Sequence, residues 1–491
     1  MGATPSRARG ILAAIVVSMI CVTTFASPHP AQAQEIRDVI HSQALDNGLE
    51  VIVIEDPSLP IVTIELTLRH GAFAEPEDYD GLAHLYEHMF FKGNEHIPNQ
   101  EAYMRRIREL GMVFNGTTST ERVNYFFTLP KTNLAEGLEF MYHATVSLLF
   151  DEEEFEREKE VVVGEADRAM SSPHYWLREA IRENLWFAHP HRKSPLGQMD
   201  IVRAATVEQM EHIKDVYYVP NNSVLLIAGD VTAEEGFELA LEIFGGWERG
   251  PDPFEIEPVP EHPPLDSSRF VLVEESVQVP MFQFAWHGPS VHEDPEATFA
   301  ADVLLYILSQ PTSNFQRNLV ESRITLGASK SYFTQRHVGP SSVSAQVLPE
   351  NLSEAIRATL LEIEKFTDPE YFTDEQMQSA KTMLAVGDVF GREKTSSFAR
   401  TLTFWWAVAG LDYYLDYLPQ LEAITREDIA RYVETYILDQ PFVLGVLLSP
   451  EQREELGLTE EELQSLVEAV QQEIQEARHG ASAAETEGAE Q

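Results

Sequence analysis

His84, Glu87 and His88 fall within Gly81-Leu-Ala-His-Leu-Tyr-Glu-His-Met-Phe-Phe-Lys-Gly93. On an α-helix, residues four apart stack on one face, and Glu87 points to nearly the same side. Two neutral imidazoles set in this way can bind Zn²⁺, and a carboxylate beside them can take a proton from a water that the ion activates. A catalytic zinc usually takes a third protein ligand and keeps one position for water. Taken alone, the five residues also describe a helix that happens to carry two histidines and a glutamate.

A third ligand can come from Phe155-Glu-Arg-Glu-Lys-Glu-Val-Val-Val-Gly-Glu-Ala-Asp167. Glu158 and Glu165 are two helical turns apart and share a face, whereas Glu156 and Glu160 lie off it. Periodicity does not single out one glutamate, and the run also reads as a charged, solvated helix surface.

The order His-x-x-Glu-His is the inverzincin signature. The chain resembles the pitrilysin/insulysin-type zinc metallopeptidases, which include mitochondrial processing peptidase. In that family a glutamate follows the second histidine by 77 residues, which here is Glu165, and a supporting glutamate stands seven residues earlier, which is Glu158. The resemblance extends to Phe91-Lys-Gly93, to Asn115 after Gly111, and to Tyr218-Val-Pro-Asn-Asn-Ser-Val-Leu-Leu-Ile-Ala-Gly-Asp230, and covers most of residues 42–450. It implies that His84, His88 and Glu165 hold one Zn²⁺ per chain and that Glu87 is the general base. It places Glu158 beside them among the catalytic residues, as the carboxylate that orients a histidine or balances charge. It also implies an edge strand within residues 113–129 that grips an extended peptide by its backbone. Asn115 on that strand either contacts the peptide or caps a turn.

The elements that must position these residues come twice. Ile61-Val-Thr-Ile-Glu-Leu-Thr-Leu-Arg-His-Gly71 leads through Glu75-Pro-Glu77 into the histidine helix. Val279-Pro-Met-Phe-Gln-Phe-Ala-Trp-His-Gly288 leads through Glu293-Asp-Pro295 into a second apolar helix. The two His-Gly pairs are 217 residues apart, and the same step carries His84, Glu87 and His88 to Ala301, Leu304 and Leu305. Phe126–Glu136 is likewise similar to Ser344–Glu354. The second half is therefore expected to keep the fold position without the metal chemistry. The proline-rich Gly250–Pro264 cannot sustain a helix or a central strand and reads as a stiff linker. The expected organisation is a signal peptide over 1–33, a zinc-binding domain over 34–249, a linker over 250–267, a homologous domain over 268–470, and a polar, disordered tail over 471–491. The fold class implied is α+β, with two domains of helices on a mostly antiparallel sheet forming half of a clamshell.

Arg7 and Arg9, the apolar run Ile11–Phe25 and Ala31-Gln-Ala33 form a secretory signal pattern, which points to a periplasmic or secreted protein. The single cysteine, Cys21, leaves with it, so disulfide and thiolate chemistry are excluded from the mature chain. No later run is long and apolar enough for stable membrane insertion. The net charge of −45 argues against nucleic acid as a partner. Its plainest reading is a solvated surface.

In single-chain relatives the C-terminal half carries an arginine and a tyrosine that contact substrate. Val338–Pro349 here has neither, and Asn314 stands where relatives often have arginine. The resemblance therefore implies a zinc-bearing subunit that works on peptides or unfolded polypeptides beside a homologous subunit carrying the arginine and tyrosine, or as a homodimer. A non-catalytic structural or peptide-binding subunit is the rival reading, and the intact ligand set argues against it.

Overall fold

The computed structural model describes residues 36–489. The expected signal peptide lies outside them. The first half is built on a six-stranded sheet in the order β1-β2-β6-β3-β5-β4. Its strands are β1 (Ile40–Ala44), β2 (Glu50–Glu55), β3 (Ile61–Leu68), β4 (Val113–Thr118), β5 (Val123–Pro130) and β6 (Ser223–Gly229). The second half is built on β7 (Arg269–Glu274), β8 (Met281–His287), β9 (Gly327–Tyr332), β10 (Pro340–Gln346) and β11 (Val443–Leu448), in the order β7-β11-β8-β10-β9. Apart from β1, the two orders coincide strand for strand, so the worn repeat in the sequence is a repeat of topology. Both sheets are mixed: β2–β6 and β7–β11 pair in parallel, and every other pairing is antiparallel.

Six helices build the site or join the halves: α1 (Leu82–Phe90), α2 (Glu152–Met170), α3 (Pro173–Leu185), α4 (Pro295–Ser309), α5 (Thr395–Val408) and α6 (Glu460–Ala489). In α1, Leu82, Leu85, Tyr86, Met89 and Phe90 are buried against the first sheet, while His84, Glu87 and His88 stay half-open. Phe90 stacks on Tyr125 of β5 at 3.6 Å between centroids and Tyr86 on Tyr218 at 4.1 Å, which fixes the rotation of α1 about its axis.

The strands β3 and β6 are buried almost throughout, so both faces of the first sheet must be covered. The second cover comes from the other half. Phe398, Ala399, Leu402 and Trp406 of α5 pack on Ile52, Ile54, Val224 and Leu226. The arrangement is reciprocal, because Leu177, Ile181 and Leu185 of α3 pack on Ala285, Val443 and Leu447 of the second sheet. A Cβ on Gly445 would stand 2.7 Å from Ile181 and 2.8 Å from Leu177, so only glycine lets α3 lie this close. Each half thus completes the other's core.

The proline-rich linker forms one short helix, Pro253–Ile256, and is anchored rather than free: the Pro260 carbonyl lies 3.0 Å from His189 Nε2. Residues 471–479 of the expected polar tail are helical. Helix α6 runs to Ala489, Ile474 packs on the second core, and Arg357 bonds Glu473 at 2.6 Å. Arg478 bonds both Glu364 and Asp439 at 2.8 Å. The polar composition hid an amphipathic continuation held by interhelical ion pairs. No helix among the described residues is long and apolar enough to cross a membrane.

Candidate metal centre

Helix α1 begins at Gly81, whose φ of 95° suits a residue without a Cβ. Its exposed N–H groups are satisfied by Glu75, which accepts from Gly81 N at 3.0 Å and Ala83 N at 2.6 Å. Burial pushes the Glu75 carboxyl up to about 8 against those bonds. Lys193, itself buried, donates to the Glu75 carbonyl oxygen. The start of the histidine helix is therefore pinned from inside the protein.

Helix α2 begins at Asp151, whose side chain accepts from Glu154 N, and it packs along α1. This brings Glu165 opposite the histidines. Glu165 Oε2 lies 3.7 Å from His84 Nε2 and 3.6 Å from His88 Nε2. These separations are too long for hydrogen bonds. They match three donors sharing one tetrahedral ion at about 2.0–2.2 Å, whose mutual spacing is about 3.3–3.6 Å. Among the described residues, this is the one group of three such side chains whose ligand atoms lie within 4.8 Å of one another. Burial, then the neighbouring His88, lowers His84 to about 4, which keeps it in the neutral, ligating form.

Glu158 does not join this cluster. Its Oε2 is 3.1 Å from His88 Nδ1, and its Oε1 is 2.6 Å from Lys92 Nζ. Burial raises the Glu158 carboxyl, but the bonds to His88 and Lys92 outweigh it and hold the pKa low. Burial opposes charge on His88 too, yet the bond to Glu158 and the charge of Glu165 leave its pKa raised. The carboxylate–imidazole contact fixes the ring so that Nε2 faces Glu165.

Glu87 is held from β4. Thr118 Oγ1 donates to Glu87 Oε2 at 2.7 Å, and a Cβ on Gly116 would stand 3.0 Å from the Glu87 side chain. Burial raises the Glu87 pKa, with the Thr118 bond opposing it. Strand alternation sets Phe114, Gly116 and Thr118 toward α1 and places Asn115 and Thr117 on the opposite face. Asn115 is exposed and paired with Phe126. The sequence expectation missed Thr118, Gly116 and Glu75. Strict alternation from β4, once its register is known, would have found the first two.

The free edge of β4 runs past this cluster, because β4 is the last strand of its sheet. In the second half, α4 buries Ala301 and Leu304 and leaves Leu305 half-buried, while Asp302 accepts from Tyr417 and lies near Lys330, which donates to Ser341 and Tyr432. The stretch over 338–349 forms mainly β10, an interior strand between β8 and β9.

Residues 50–198 match the family model for insulinase (peptidase family M16), and residues 204–384 match that for the peptidase M16 inactive domain. The chain belongs to the M16 peptidase family. The boundary between the two M16 models falls after α3, the helix that covers the second sheet. A zinc protease, PqqE, of Helicobacter pylori is 24% identical over 430 residues, which cover 86% of this chain and 95% of that protein. An insulin-degrading enzyme homologue of Dictyostelium discoideum is 25% identical over 349 residues, 68% of this chain but 35% of the relative, so the chain spans about a third of that longer M16 protein. The crystal structure of a protease from Helicobacter pylori superposes with a TM-score of 0.74 at 23% identity, covering 83% of this chain and 99% of that one. The periplasmic protease PqqL of Escherichia coli superposes at 0.71 and 16% identity, covering 88% of this chain and 50% of that one. At these identities the superpositions establish the M16 fold alone.

Proposed function

We propose that the protein is a zinc-dependent endopeptidase acting on extended peptides or unfolded polypeptides. The observation that carries this reading is the convergence of His84 Nε2, His88 Nε2 and Glu165 Oε2 beside a carboxylate, Glu87, held by Thr118. The two imidazoles and the carboxylate would hold one Zn²⁺ per chain. When bound, zinc supplies a nucleophilic water at neutral pH by lowering its pKa to around 7. The chain's own residues do the rest. Glu87 takes the proton of the attacking water as the new carbon–oxygen bond forms, then delivers it to the departing amine as the carbon–nitrogen bond breaks. Thr118 holds Oε2, which aims the other oxygen of Glu87. Glu158, backed by Lys92, keeps His88 turned toward the ion. Glu158 therefore acts through a ligand rather than on the substrate.

The substrate lies along the free edge of β4, where backbone N–H and C=O groups grip an extended peptide with weak demands on its side chains. This assigns substrate contact to the backbone around Asn115. Export to the periplasm or beyond follows from the signal pattern over 1–33. The lack of arginine and tyrosine over 338–349 supports a homologous partner subunit that supplies them. A cleavage assay on mixed peptides, with and without zinc and with and without such a partner, tests the reading. Absence of zinc-dependent cleavage in every combination refutes it.

A further inference from the structure

Where the two halves meet, histidines from four parts of the chain come together. His189 and His191 lie on the turn at Pro190–Arg192, His262 in the linker, His287 at the end of β8, and His337 in the loop before β10. Ring centroids are 4.6 Å apart for His189–His191, 5.0 Å for His189–His262 and 4.2 Å for His262–His287. His337 lies 6.0 Å from His189 and 5.9 Å from His191.

The hydrogen bonds dictate protonation. His189 Nε2 faces the Pro260 carbonyl at 3.0 Å and must donate to it. His189 Nδ1 accepts from the His191 backbone N–H at 3.2 Å and lies 2.8 Å from His191 Nδ1. His189 is thus a neutral imidazole with its proton on Nε2. The chain of contacts continues to the site. His191 Nε2 lies 3.2 Å from Glu121 Oε1, and both Glu121 oxygens accept from the Arg336 backbone N–H, at 3.0 and 2.9 Å. Glu121 belongs to the tight turn between β4 and β5, and β4 carries Gly116 and Thr118 against Glu87. A second proton on His189 would set two N–H groups against each other and break the series at its first member. His262 Nε2 is buried without a partner, so a proton there finds no acceptor.

Charges of both signs face the joint. Glu121 and Asp252 are its nearest carboxylates, Glu50 lies beside Arg69 and Glu77 bonds Arg192, and Glu121 favours a proton on His337 while neighbouring histidines oppose one. Arg336 lies beside His337 and His292, Arg269 acts on His287, Arg69 acts on Arg336 and His292, and Arg192 donates to the His189 carbonyl. His292, at the surface end, contacts the Val408 carbonyl at 3.1 Å.

We propose that this joint is an acid-sensitive latch: with His189, His262 and His337 neutral it clasps the two halves and the β4–β5 turn, and on their protonation it releases Glu121 from Arg336 and frees that turn. Burial is the largest cause that lowers His189 and His262 to about 3 and His337 to about 4. In the released state these groups titrate near the ordinary value of about 6.5. The latched state then binds fewer protons than the released one. Its stability is complete above about pH 6.5 and is lost as pH falls from there toward about 3.

Hydrogen exchange of the full chain, read by mass spectrometry at pH 7.5 and 5.0 and corrected for intrinsic rates, tests this. The protein is measured as purified and after chelation, so loss of a metal cannot imitate the response. Peptides covering 119–123 and 333–339 should lose protection at least about tenfold at the lower pH, while Leu352–Ile363 should not. Protection that does not change with pH overturns the proposal. The triple variant His189→Gln/His262→Gln/His337→Gln should cut the response below about threefold, and a full response there overturns it. Should that variant fail to fold, His262→Gln alone, which removes a ring nitrogen with no partner to lose, should need a lower pH for the same loss. An unshifted midpoint overturns the latch. Ni²⁺ added at pH 7.5 should leave protection unchanged, and a gain would make the cluster a metal site instead.

Discussion

The helices α1 and α4 occupy the same place in two sheets of matching strand order, and they differ in what they show to the strand at the sheet edge. In α1 that position carries His84, Glu87 and His88, half-open toward β4. In α4 it carries Ala301 and Leu304, both buried, and the half-buried Leu305, none of which can hold a metal or a proton. Outside those positions the two helices do the same work, since each buries an apolar stripe on its sheet. Packing alone sustains the fold, and the chemistry is a small set of side chains laid over it. That set depends on Thr118 and on Glu158 with Lys92, which serve α1, whereas both helix starts are held by a carboxylate, Glu75 for α1 and Asp294 for α4.

The comparison can be broken most severely at its centre. His88→Ala should remove most of the zinc and with it peptide hydrolysis, and atomic emission on the purified variant measures the metal. Full retention would mean that α1 and α4 do not differ in the way described. Glu87→Gln should keep the zinc and lose about 10²–10⁴-fold in turnover, because the amide cannot take a proton. Turnover near that of the parent would remove Glu87 from the mechanism. Glu158→Gln should weaken zinc affinity about 10–100-fold, the usual effect of losing a carboxylate that orients a ligand. A competition titration with a chelator reads this directly, and an unchanged affinity would make Glu158 a surface-type ion pair. The reverse graft sharpens the contrast: Ala301→His/Leu305→His should bind no second zinc and should destabilise the second half by about 1–3 kcal/mol, since Ala301 is fully buried. The smallest effect is expected from Glu75→Ala, which uncaps α1 and should cost about 0.5–2 kcal/mol. Denaturant midpoints of the variant and the parent measure it.

The pattern of His84, Glu87 and His88 was legible because a helix turns spacing directly into direction. Glu165 was not legible in that way: 77 residues separate it from His88, and the spacing has meaning only through the resemblance to a family. The two glutamates on one face of α2 separate only in three dimensions, where one meets both histidines and the other meets Lys92 and His88 Nδ1. Strand β4 shows the limit from the other side. It was legible as an edge strand, but which of its residues face α1 is set by the register with β5, which the local sequence does not display. The repeat was readable from paired strands and turns, yet nothing in α3 or α5 announces which sheet each will cover. Both are amphipathic, and either half could have claimed either helix.

That crossing of α3 and α5 makes the two halves a clasped pair rather than beads on a string. Cutting the linker at residues 257–259 would leave two fragments that stay together, because each still holds a helix the other needs. Expressing the fragments separately would instead leave each with one raw sheet face and a greasy helix with nowhere to lie. The peptide between them is therefore an assembly guide, and the halves are held by the reciprocal packing of α3 and α5.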